Sequence, residues 1–264
     1  MELFDRSPRR VRLTEAGAAF LPAAREVLAA ERRALEAVDG FIAGRAPVLR
    51  IGTSAGMGAR LERLLEALER QAPGTRVELV SLPRGDRLRR VADRELDAAF
   101  LRGEMEAPEG VRQIPVWQDE LPVVLSSRHP LADAAGVDLA RLAELPLDLT
   151  ARQNNPPLVD LVVDACRDAG FEPVPGPPHS SLQDTLAALG AGSPGWTVLY
   201  AAHADQLLGG RVAFLPARSP DGSDGPASSL SLPTALAVHG AAAPERLRPL
   251  LAACREAGRG DRGA

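Results

Sequence analysis

The residues of this chain best suited to chemistry are a strand-to-helix turn rich in glycine and hydroxyls, four histidines and two cysteines. Gly52-Thr53-Ser54-Ala55-Gly56-Met57-Gly58 follows an apolar run and opens a helical pattern. In that setting free amides and a helix dipole can hold an anion, and Thr53 and Ser54 add hydroxyls or simply cap the helix. A dinucleotide fingerprint fails, because its third glycine would fall at Leu61, and no lysine is present to close a phosphate loop. His129, His179, His203 and His239 are scattered, without metal-ligand spacing. No Gly-x-Ser-x-Gly elbow offers an activated serine. Cys166 and Cys254 lie far apart in helix-like segments, outside any Cys-x-x-Cys pair, and read as small reduced core residues. The pattern is one of binding, so no enzyme activity, cofactor or metal is expected.

Behind the turn stands an alternation of strands and helices. Strands are predicted at Val48–Ile51, Arg76–Leu82 and Asp97–Leu101, with helices at Ala59–Gln71 and Arg87–Arg94 between them. This βαβαβ order calls for parallel strands joined by helical crossovers. A second set follows: strand Leu121–Ser126, helix Asp138–Leu145, strand Leu147–Thr150, and helices Leu158–Ala169 and Leu182–Leu189. Strands Thr197–Tyr200, Arg211–Leu215 and Leu230–Val238 come next, then a closing helix Glu245–Ala257. Arg218–Ser229 reads as a loop. Roughly 215 residues follow residue 46, enough for two α/β lobes.

Ahead of these lobes a helix is predicted from the cap Thr14 to about residue 43, with a kink or junction at Pro22. Phe20, Val27, Ala34 and Phe41 recur at seven-residue spacing, as do Leu21, Leu28, Leu35 and Ile42, and Val38 joins the same stripe. A lone surface helix has no need of such a seam, so Phe20, Leu21, Val27, Leu28, Leu35, Val38, Phe41 and Ile42 are expected to pair two chains. The net charge of −4 excludes a chain that is basic throughout, although Arg9, Arg10 and Arg12 cluster near the start. The opening residues lack a signal core, and no run of about 18 apolar residues occurs. A cytoplasmic protein without membrane contact is expected.

Three segments together resemble the LysR-type transcriptional regulators. Leu3-Phe4-Asp5-Arg6 with Val11-Arg12-Leu13-Thr14-Glu15-Ala16-Gly17 is similar to the wing of that family's winged helix-turn-helix running into the linker helix. Arg94-Glu95-Leu96-Asp97-Ala98-Ala99-Phe100 and Ser127-Arg128-His129-Pro130-Leu131-Ala132 are the second and third, the last followed by Val137-Asp138-Leu139-Ala140-Arg141-Leu142. The resemblance spans residues 2–257 in order. It implies a wing remnant at 1–14, a linker and dimerisation helix at 15–46, and a type II periplasmic-binding-protein-like effector domain at 47–264. Lobe I would comprise 47–127 and 229–264, and lobe II 128–228, with two crossover strands between them. The recognition helix of the family, which would precede the wing, is expected to lie in a segment upstream of Met1.

The resemblance further implies a homodimer or tetramer that switches transcription when a small effector, a carboxylate, sits between the lobes. By position its contacts would be Thr53, Ser54, Ala55, Arg84 and Gly85 from lobe I. From lobe II they would be Thr150, Arg152, Gln153, Gly192 and Trp196. Arg84 beside a helix start favours a doubly negative or bidentate ligand. Arg9, Arg10 and Arg12 would touch promoter DNA phosphates, given an upstream recognition helix. Rival readings are a stand-alone sensor that does not bind DNA, a solute-binding protein, and a thiol redox sensor.

Overall fold

The computed structural model describes residues 1–7, 10–39, 47–177, 181–204, 207, 210–218 and 230–259. The chain opens with an antiparallel hairpin, β1 (Phe4–Ser7) and β2 (Arg10–Leu13), in which Phe4 stands opposite Leu13. Helix α1 (Glu15–Asp39) follows directly. Thr14 caps it: its Oγ1 accepts from the Gly17 amide at 3.0 Å and donates to the Glu2 carbonyl at 2.8 Å, tying the hairpin to the helix start. The helix continues through Pro22 without a break in its assigned span. Arg25 reaches Asp93 at 3.2 Å, and Ala29 is buried, so α1 leans on the body of lobe I.

Lobe I is built on β3 (Val48–Thr53), α2 (Gly58–Gln71), β4 (Arg76–Ser81), α3 (Arg84–Ala92) and β5 (Ala98–Arg102). As the alternation requires, β3 runs parallel to both β4 and β5. Every residue of β5 is buried, as befits a central strand covered on both faces. Strand β6 (Val111–Glu120) was not foreseen, because Pro115 interrupts its pattern. With β12 (Ser231–His239) included, the sheet order β4-β3-β5-β12-β6 puts β6 at an edge, where a missing amide is tolerated. Its partner β12 returns late in the chain and runs antiparallel to β5 and β6. Helix α7 (Pro244–Arg259) then lies along α2: Leu247, Leu250 and Cys254 of α7 and Leu64, Ala67 and Leu68 of α2 share one core.

Lobe II begins with β7 (Val123–Ser126), earlier than the expected boundary at residue 128. β7 pairs with β9 (Thr197–Val198) and β10 (Val212–Leu215), so it belongs to the second sheet. A small parallel pair joins β8 (Val137–Asp138) to β11 (Ala217–Arg218). The predicted helix 138–145 is only a 3-10 turn, Leu139–Leu142, capped by Asp138; Pro146 disfavours helical backbone just before it. The predicted strand 147–150 reduces to single bridges from Leu147 to Pro175 and Trp196. Helices α4 (Pro156–Asp168) and α5 (Leu182–Ala191) and the short α6 (Ala201–Ala204) complete the lobe. Its core gathers Leu142, Leu158, Val162, Cys166 and Trp196.

Two strands connect the lobes. β6 leaves lobe I and β12 re-enters it beside β6, and the Leu121 amide donates to the Leu230 carbonyl at 2.8 Å where they cross. The lobes also meet where α6 abuts the start of α2. A Cβ on Gly58 would lie 1.9 Å from the Ala202 carbonyl oxygen, and Gly58 has φ 44°. Only glycine fits both demands. Among the described residues no helix is long and apolar enough to cross a membrane.

Candidate functional site

Between the lobes lies a cleft of about 510 Å³, a size suited to a small organic ligand. Lobe I supplies the 54–56 turn, Ser81–Arg84, Arg87 and Arg102; lobe II supplies 148–150, Asn154, Asn155 and the 197–200 segment. Four expected contacts converge here: Ser54, Ala55, Arg84 and Thr150. Thr53 ends β3, is buried and stops one residue short of the wall.

Five others lie elsewhere. Gly85 is exposed and has nothing within 4 Å of where a Cβ would project. Arg152 is turned outward into a bidentate ion pair with Asp160, at 2.6 and 2.7 Å, and Gln153 is exposed beside it. Gly192 is the left-handed cap of α5, with φ 101°. Trp196 is fully buried in the core of lobe II, its amide bonded to the Pro146 carbonyl at 2.9 Å. A large ring in a stiff loop serves packing there.

The cationic character of the cleft comes mainly from residues that the sequence did not mark. Arg102 ends β5 and is 7% exposed. Its Nη1 donates to the Ala55 carbonyl and its Nη2 to the Gly56 carbonyl, both at 2.8 Å, and this fixes the turn. Its Nε donates to Asp119 Oδ2 at 2.8 Å. Asp119 also accepts from Arg60 at 2.8 Å, from the Thr234 hydroxyl at 2.6 Å and from the Trp117 indole at 3.2 Å. Burial opposes ionisation of Asp119, but Arg102, Arg60 and the Thr234 hydroxyl outweigh it and hold the carboxyl below its usual range. The turn's glycines thus serve backbone geometry and lobe packing, while its carbonyls are held by an arginine.

Arg84 and Arg87 stand one turn apart on α3, which begins at Arg84 rather than at Arg87 as predicted. Arg84 Nη2 donates to the Gly103 and Glu104 carbonyls at 2.9 and 2.7 Å. Arg87 is 5% exposed and makes no ion pair among the described residues. Burial, then Arg102 and Arg84, lower its guanidinium to about 10. Pro83 before two arginines at i and i+3 was the available signal of this helix start. Tyr200, whose hydroxyl accepts from Asn155 Nδ2 at 3.0 Å, closes the cleft from lobe II.

The thiols lie outside the cleft. Cys166 and Cys254 are both fully buried, one in the core of each lobe. Burial raises them to about 11 and about 12. Neither is a thiolate at neutral pH, so neither has the character of a redox sensor. Among the described residues no group of three His, Cys, Asp or Glu side chains is arranged to hold a metal ion.

On α1, Phe20, Val27, Leu28 and Leu35 are 52 to 68% exposed and Leu21 is half-buried. Phe41, Ile42 and Arg9 lie outside the described residues, as do the side chains of Val38 and Arg10; Arg12 is exposed on the hairpin.

Two α/β lobes joined by paired crossover strands around a ligand-sized cleft define an effector-binding domain of the type II periplasmic-binding-protein kind. Residues 43–259 match the LysR substrate binding domain, and the chain belongs to the LysR family of transcriptional regulators. It is 35% identical over 181 residues to the regulator ShiR of Corynebacterium glutamicum, covering 65% of this chain and 59% of ShiR. It is 27% identical over 192 residues to BudR of Raoultella terrigena, covering 72% of this chain and 66% of BudR. The chain thus spans about three-fifths of these relatives. Its fold matches the Corynebacterium glutamicum OxyR C206 mutant at a TM-score of 0.71 and 24% identity, over 98% of this chain and 78% of that one.

Proposed function

We propose that this chain is the sensing and pairing part of a cytoplasmic transcriptional regulator and performs no catalysis. A small anionic effector, a carboxylate, binds between the lobes and favours one lobe arrangement by binding it more tightly than the other. The observation that carries this reading is the convergence of Arg84, Arg87 and Arg102 on a single ligand-sized cleft. Ser54 and Thr150 line the same walls and supply hydroxyls for orientation. The exposed apolar stripe on α1 supports pairing with a second copy through Phe20, Val27, Leu28 and Leu35. Promoter DNA is the further partner, bound by a helix-turn-helix preceding the hairpin, with Arg12 and its neighbours on phosphates. The test is thermal unfolding of the chain against a panel of small carboxylates, with Ser54→Trp as a variant whose cleft is filled. A carboxylate that raises the melting temperature of the wild type alone supports the reading. No shift across the panel at millimolar concentration would sink it.

A further inference from the structure

We propose that the anionic end of the effector carries two negative charges, as a dicarboxylate or a phosphate monoester, and that Arg87 selects it. This rests on the anionic-effector reading above. Arg84 and Arg102 have carbonyl or carboxylate partners that orient them. Arg87 has none: its Nε and Nη1 are buried without a hydrogen bond, on the wall of the cleft. Its stem packs over Gly52, where a Cβ would come within 3.3 Å of the Arg87 Cγ.

Charge balance gives the ligand class. Arg60, Arg84, Arg87 and Arg102 lie in the cleft wall or directly behind it. Arg60 and Arg102 share Asp119, with Glu120 also near Arg60, and Asp148 stands on the opposite wall. Arg84 and Arg87 make no ion pair among the described residues, and these are the two guanidinium charges a ligand would meet. A buried cation without a partner is costly, and a protein keeps it where a ligand completes the pairing. A monocarboxylate neutralises one of the two; a dicarboxylate or a phosphate monoester neutralises both. Arg84 and Arg87 occupy neighbouring positions on one helix face, so the two charges must be close together in the ligand.

The experiment is calorimetry and thermal unfolding of the full 264-residue chain with maleate, phenyl phosphate and the monoanion benzoate, on the wild type and on Arg87→Met. At least one dianion is expected to bind the wild type roughly tenfold or more tighter than benzoate. Whichever of maleate and phenyl phosphate binds better identifies the source of the charge. Arg87→Met is expected to abolish the margin and, without ligand, to melt higher than the wild type, since a lone buried charge has gone. Equal binding of dianions and benzoate overturns the two-charge proposal and leaves the anionic reading standing. A margin that survives in Arg87→Met overturns the role of Arg87. A variant that melts lower or fails to fold makes Arg87 structural and also overturns it. If none of the three anions binds the wild type, the anionic reading fails and this proposal with it.

Discussion

The guanidinium of Arg102 lies 3.6 Å from the centre of the Tyr200 ring, across the boundary between the lobes. Arg102 also holds the 54–56 turn and Asp119, so one side chain joins the cleft floor, the buried ion network and the opposite lobe. A cation over a ring contributes about 0.5–2 kcal/mol when partly desolvated. A double-mutant cycle with Arg102→Met and Tyr200→Leu is expected to give a coupling of about 1 kcal/mol or more in urea unfolding. Independent effects would mean the stacking adds nothing.

Asp119 is shared by Arg60 and Arg102, and all three are almost fully buried. Asp119→Asn removes the carboxylate that two buried cations share, with an expected loss of about 3–5 kcal/mol. The sign of the pH effect follows from the lowered carboxyl. The unfolded carboxyl titrates near 3.9, so the stabilisation is complete well above about pH 4 and is lost as pH falls below it. Asp119→Asn should therefore flatten the acid limb of the stability curve. An acid limb as steep as the wild type's would show that other carboxylates govern it.

Arg94 is the only described non-glycine residue with positive φ, at 55°, just past the end of α3. Side chains other than glycine and asparagine pay roughly 1 kcal/mol for that backbone. Arg94→Gly is expected to stabilise the protein by about 0.5–1 kcal/mol, even with loss of the exposed Arg94–His239 contact at 3.3 Å. Chemical denaturation measures this directly, and a destabilised variant would mean the contact matters more than the backbone strain.

Val27, Leu28 and Leu35 project from α1 largely into solvent in a single chain. If they form the pairing seam, Leu28→Glu places like charges face to face in the dimer. Sedimentation is expected to show monomers at concentrations where the wild type pairs, with unchanged helix content by circular dichroism. A dimer that tolerates Leu28→Glu would put the contact on another surface.

The sequence revealed those features whose causes are local. The parallel alternation, the cap Thr14 and the helical spacing of α2 and α7 all depend on near neighbours, and they appear as read. Strand β6 did not, because Pro115 breaks its pattern and only the edge position explains its tolerance. Only part of the cleft lining was legible. Ser54, Ala55, Arg84 and Thr150 follow from position along a resembled family, but Arg102 depends on Asp119, which reaches it across β12. No spacing along the chain announces a pair brought together by sheet order. Trp196 and Arg152 show the converse: residues of suggestive type whose side chains a core and a surface ion pair had already claimed.

The hydrogen bond between Leu121 and Leu230 makes the two connecting strands a paired ribbon. Two adjacent strands form a narrow ribbon that bends readily across its face but resists shear, because sliding would break its register. A change in lobe orientation carried by this ribbon alone would reduce to one motion, an opening angle, and would have to give up the α6–α2 and Arg102–Tyr200 contacts. A single distance measured across the cleft would then describe the whole response, and effectors could be ranked by the angle at which each holds the hinge.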